Sequence, residues 1–132
     1  MSRLMAILRR TLYLGAFVST VFGLVLAVAP RFALVTVADQ PPYPDYAGAR
    51  MLGVGAFAFA LLMVLVAQRI EELWWWSWAF VIASAGFALV ALTRAISGNN
   101  CAAWWATFAA NAVFVVSLLW GLGRTGQERP LP

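Results

Sequence analysis

The stretch DQPPYPDYAGARMLGVG, Asp39 to Gly55, decides how the chain is read. It gathers Asp39, Asp45, three of the six prolines and Arg50 between two long apolar runs. Pro41, Pro42 and Pro44 each remove a backbone N–H and restrict the residue before them, so no regular helix continues through this point. Upstream, Leu12 to Ala29 is apolar; downstream, so is Ala47 to Ala67. A helix rises about 1.5 Å per residue, so roughly twenty apolar residues cross a hydrocarbon core of about 30 Å. Both runs reach that length.

Further on, Gln68, Arg69, Glu71 and Glu72 form a short polar turn, and a third apolar run follows from Leu73 to Thr93. Arg94 to Asn100 is a short loop, with Gly98, Asn99 and Asn100 as turn formers. A fourth run covers Ala102 to Leu122. The expectation is one all-α domain, residues 1–132: a polytopic membrane protein with four transmembrane helices in an antiparallel bundle. Its spans fall at about 12–30, 47–67, 73–93 and 102–122, with an outer loop at 31–46 and a polar tail at 123–132. In the outer loop Phe32, Leu34, Val35 and Val37 suit a segment that hugs the membrane surface or caps the bundle.

Composition points the same way. Of the 132 residues 64% are hydrophobic and 11% charged, where soluble domains carry about a quarter charged residues. A water-soluble fold this small cannot hide so much apolar surface. The basic charge of +4 comes entirely from arginines placed beside apolar runs. That placement marks topology and speaks against a nucleic-acid partner. Arg3, Arg9, Arg10, Arg69, Arg124 and Arg129 fall on one side of a four-span topology, Arg31, Arg50 and Arg94 on the other. The positive-inside rule then places both termini in the cytoplasm, N-in/C-in. Trp74, Trp75, Trp76, Trp78 and Trp120 are expected at the cytoplasmic boundary, Trp104 and Trp105 at the outer one, as an aromatic belt. Ala27-Val28-Ala29 has the form of a signal-peptide cleavage site, but the run is long and Pro30 would follow the cut. The first span is read as retained.

Several chemistries find no residues. The chain has no His, the commonest ligand for haem, zinc and copper and the commonest general base at neutral pH. Cys101 is the single cysteine and reads as a small interfacial residue. No catalytic residues, metal ligands or cofactors are assigned. No acid or base falls at the centre of a span, unlike proton-coupled exporters, which need a membrane-embedded carboxylate. Fluoride channels, also built from four short spans, have a more polar pore.

What remains is packing and neutral polarity. Gly15, Ser19, Gly23 and Ala27 recur every four residues in the first span, Ala49 and Gly53 in the second, and Ala102, Ala106 and Ala110 in the fourth. Small residues at that spacing let membrane helices approach closely, within the chain or against a partner. Near the midplane lie Ser84, Thr107 and Asn111, readable as interhelical glue or as a neutral polar pocket. Arg50, at the head of the second span, suits a clamp to Asp45, a lipid contact or a ligand contact. Asn111, Thr107, Ser84 and Arg50 form the candidate ligand set.

Phe22-Gly23, Pro30 and Ala49-Arg50-Met51-Leu52-Gly53 resemble the small four-helix bacterial inner-membrane proteins of the broad DoxX-like kind, over roughly Thr11 to Gly98. The resemblance implies a cell inner membrane location and an accessory or quinone-adjacent role; it carries over no catalytic residue. The expected function is a non-enzymatic accessory, assembly or structural subunit, with the bilayer and other membrane proteins or itself as partners. The alternatives are a binder or carrier of a small neutral or lipidic ligand, and a quinone-linked oxidoreductase subunit.

Overall fold

A computed structural model describes residues 3–38, 40–42, 44–97 and 102–128. Its elements are α1 (Arg3–Val28), a π-helical segment (Phe32–Val37), α2 (Ala47–Gln68), α3 (Ile70–Leu73), a 3-10 turn (Trp74–Trp76), α4 (Ser77–Ser97) and α5 (Ala102–Glu128). Among the described residues there is no strand. Among the described residues four helical segments are long and apolar enough to cross a membrane: Met5–Val28, Ala47–Gln68, Ile70–Ser97 and Ala102–Gln127. Their outward faces carry large apolar side chains, among them Leu14, Phe17, Val28, Met51, Ile82, Leu89, Val113 and Val116, all more than half exposed. Surface of that kind suits hydrocarbon and is untenable over such an area in water.

The helices pack mainly as two pairs. α1 lies extensively on α2 and α4 on α5, while α1 touches α5 over a shorter seam. α2 and α4, although nearly consecutive, barely meet; Phe59 and Phe80 bridge them with ring centroids 5.0 Å apart, edge to face. The α1–α2 pairing rests on Gly23 and Gly53. A Cβ placed on Gly23 would lie 2.6 Å from the Gly53 carbonyl oxygen, and one on Gly53 would lie 2.6 Å from the Gly23 carbonyl. Only hydrogen side chains allow this contact, since the obstacle is backbone and cannot swing aside. Further along α1, Gly15 takes the ring edge of Phe114 from α5, with Met63 beside it at 3.3 Å from its Cβ position.

The core is concentrated at the end that carries the termini. Met5, Leu8, Leu12 and Ala16 meet Ala60, Met63, Val66, Ala67, Ile70, Trp74, Phe80, Val81, Leu118 and Leu122. Gly121 accommodates Leu8, whose side chain comes within 3.2 Å of its Cβ position. Towards the other end the pairs are closed by small residues instead: Gly23 and Gly53 between α1 and α2, and the buried alanines Ala88, Ala91 and Ala95 on α4.

The helices run further than hydropathy alone suggests. α1 begins before Arg9 and Arg10, and Met5 and Leu8 are fully buried. The expected polar tail is helical as far as Glu128, and Thr125 within it is fully buried. Trp74, expected in an interfacial belt, is instead a core residue, while Trp76 and Trp78 face outward. The 3-10 geometry of Trp74–Trp76 separates these neighbours by face. The connection after α1 is partly helical too. Ala29 N–H still donates to Val25 at 2.8 Å and Ala33 N–H to Ala29 at 3.1 Å, straddling Pro30, which has no N–H to give. The segment then closes with Ala38 N–H to Ala33 at 3.0 Å and Gln40 N–H to Leu34 at 2.8 Å.

Candidate functional site

The best-tied region lies where the α1–α2 connection passes over the ends of the helices. Arg50 Nη1 donates to the Ala27 carbonyl at 3.1 Å. Asp45, the partner expected for Arg50, instead accepts the Ala47 N–H on its Oδ1 at 3.0 Å and opens α2. Arg50 therefore fastens one helix end to another, using one of the last α1 carbonyls, which have no partner within their own helix. Across the top, Trp104 Nε1 of α5 donates to the Ala38 carbonyl at 3.1 Å. Arg94 of α4 stands over the Trp104 ring, 5.8 Å from its centroid. Asp39, the Gly98–Asn100 turn and Cys101 lie outside the described residues.

Thr107 and Asn111 sit one and two turns below Trp104. Thr107 Oγ1 donates to the Ala103 carbonyl at 2.8 Å, and Asn111 Nδ2 to the Thr107 carbonyl at 2.9 Å. Both bonds stay within α5, and among the described residues neither ties one helix to another. Thr20 of α1 does likewise, 2.7 Å from the Ala16 carbonyl. Ser84 is buried on α4. Of the four candidate ligand residues, Thr107 and Asn111 come together, while Arg50 is engaged with α1.

The termini end presents two open clefts. One, of about 390 Å³, is lined by Arg9, Gln68, Arg69, Ile70, Glu71 and Glu72, with Arg69 and Glu72 ion-paired and Arg9 5.7 Å from the Tyr13 ring centroid. The other, of about 380 Å³, lies between Trp74, Trp78, Leu122, Gly123 and Gly126. None of the four candidate ligand residues lines either cleft. Nearby in sequence, Ser77 and Thr125 are fully buried, and neither hydroxyl has a hydrogen-bond partner. An unsatisfied buried hydroxyl costs about 1–3 kcal/mol. Among the described residues no group of three or more His, Cys, Asp or Glu side chains could hold a metal.

Sequence reasoning missed Trp104 as a tether and the carbonyls of Ala27 and Ala38 as acceptors. A signal for the first existed. Trp104, Thr107, Asn111, Leu118 and Leu122 keep the three- and four-residue spacing of one helix face, which places that indole inward. The carbonyls carried no such signal, since every residue has one. Searches against protein-family models, curated proteins and solved structures find no match for this chain.

Proposed function

We propose that this chain is a non-enzymatic accessory or structural subunit of a bacterial cytoplasmic membrane. In this reading the four spans form an antiparallel bundle, N-in/C-in, that docks on other membrane proteins or on a second copy through α5. The meeting of Gly23, late in α1, with Gly53, early in α2, favours opposite helix directions. The six arginines on the termini side against three on the other favour the orientation.

One observation carries the docking reading. Only 17% of the most apolar stretch of α5 is buried, against 28%, 28% and 33% for the other three spans. Ala102, Ala106 and Ala110 are all exposed on it. The small residues of α1 are spent inside the chain: Gly23 on Gly53, Gly15 on Phe114. Those of α5 remain open, and close backbone approach at small residues is how helices associate in lipid. Ala106→Leu together with Ala110→Leu is expected to lower the mass of the mildly solubilised particle to that of the monomer, by size-exclusion with light scattering, and leave its helicity unchanged. A wild-type particle that is already a bare monomer sinks the reading.

A further inference from the structure

The charged cleft at the termini end lies where two apolar runs stop. Arg9 and Arg10 precede the run of the first span, and Gln68 follows the last apolar residue of α2, Ala67. In a membrane-spanning chain that is the depth of the lipid headgroups. The cleft measures about 390 Å³, within the roughly 300–1,000 Å³ of small-molecule sites. Arg9, Arg69, Glu71 and Glu72 line it, two cations and two carboxylates with no net charge.

These charges are not equally committed. Arg69 and Glu72 pair with each other. Arg9 is half-buried and held against the Tyr13 ring, a contact that uses none of its five N–H donors. Among the described residues its guanidinium has no ion pair and no hydrogen bond. An arginine fork with open donors at headgroup depth fits a phosphate, which it can take with two parallel bonds. The carboxylates on the same walls then decide which phosphate. A purely anionic headgroup such as phosphoglycerol meets Glu71 and Glu72 as like charges. A quaternary choline brings the right sign of charge but no N–H to donate. A primary ammonium brings both, with three donors for carboxylate oxygens.

We propose that this cleft seats the headgroup of a phosphatidylethanolamine lipid, with its phosphate on Arg9 and its ammonium towards Glu71 and Glu72. A zwitterion without net charge matches a cleft without net charge. The seat presupposes the membrane-spanning chain but not the α5 interface, which belongs to the other helix pair. The lipid is the source because a bilayer holds its headgroups at this depth in great excess over any solute.

The full chain is reconstituted into vesicles of phosphatidylethanolamine, phosphatidylglycerol and phosphatidylcholine in equal parts. Lipids retained after mild detergent extraction are then counted by native mass spectrometry. The wild type is expected to retain phosphatidylethanolamine at least about threefold over either other lipid, the worth of an exposed ion pair. Arg9→Gln is expected to lower that retention about three- to tenfold. Arg10→Gln, an equal loss of charge at an exposed residue outside the cleft, should leave it unchanged. Glu72→Gln frees Arg69 and gives the cleft one net positive charge, so the preference should turn to phosphatidylglycerol. Equal retention of all three lipids, or a wild-type preference for phosphatidylglycerol, overturns the proposal. So does an equal loss in Arg9→Gln and Arg10→Gln, which would make the effect one of overall charge. An unchanged preference in Glu72→Gln overturns the ammonium assignment. Soluble glycerophosphoethanolamine retained as well as the lipid overturns the lipid assignment. Protein stripped from the vesicles by alkaline carbonate would instead sink the membrane-spanning reading itself.

Discussion

Gly23→Leu is expected to destabilise the folded protein by about 3 kcal/mol or more, the upper end of overpacking costs. Any side chain at this position meets the Gly53 carbonyl and, at 3.0 Å, the Phe57 amide nitrogen. The two backbones would have to part, and with them the most extensive helix pair in the molecule. Gly55 supplies the control. It lies on α2 two residues from Gly53, with nothing within 4 Å of its Cβ position, so Gly55→Leu should change stability by less than about 0.5 kcal/mol. Titration of both variants with SDS in mixed micelles, followed by tryptophan fluorescence, gives the comparison. Equal midpoints would mean that the α1–α2 contact is not made through Gly23.

The second large effect separates two tryptophans that are neighbours in sequence. Trp74→Ala is expected to cost about 2–4 kcal/mol and Trp76→Ala under about 1 kcal/mol in the same titration. Trp74 is 5% exposed and belongs to the same core cluster as Met5, Leu8, Ile70, Leu118 and Leu122, whereas Trp76 is 51% exposed. In lipid the transfer component of the usual large-to-small penalty is small, because the tails are as apolar as the core. The remaining loss is the cavity and its missing dispersion contacts, which puts the expectation below the aqueous range. A larger loss at Trp76 would return Trp74 to the interfacial belt and empty the core of its largest member.

How much of this could be read in advance follows from the kind of signal each feature leaves. The four spans were legible because hydrophobicity over a crossing length is a property of composition. Their ends were less so. Arg9 and Arg10 interrupt the apolar run but do not interrupt the helix, since a long side chain can carry its charge away from a buried backbone. Gly123 and Arg124 look like a tail, while Leu122 and Thr125 keep the inward face going. Gly23 and Gly53 were visible as members of two ladders, but which ladder meets which is a pairwise fact that one sequence does not carry. The candidate site shows the same limit. Asn111 was conspicuous as a central amide, yet its partner is a carbonyl on its own helix, one of many chemically equal acceptors. Arg50 was expected to seek the nearest carboxylate along the chain. It found instead a carbonyl at the end of α1, which the packing of α1 on α2 brings near.

The seam between the two helix pairs also sets an order in time. α1 and α2 are complete once residue 68 has been made, and Gly23 and Gly53 can close at once. Leu8 must wait for Gly121, which leaves a bacterial or eukaryotic ribosome roughly 3–14 s after Gly53 at usual elongation rates. During that interval the side of Leu8 that will meet Gly121 has no α5 against it. The α1–α2 pair must therefore hold together without α5 for that time, and the two opposed glycines give it a contact of its own.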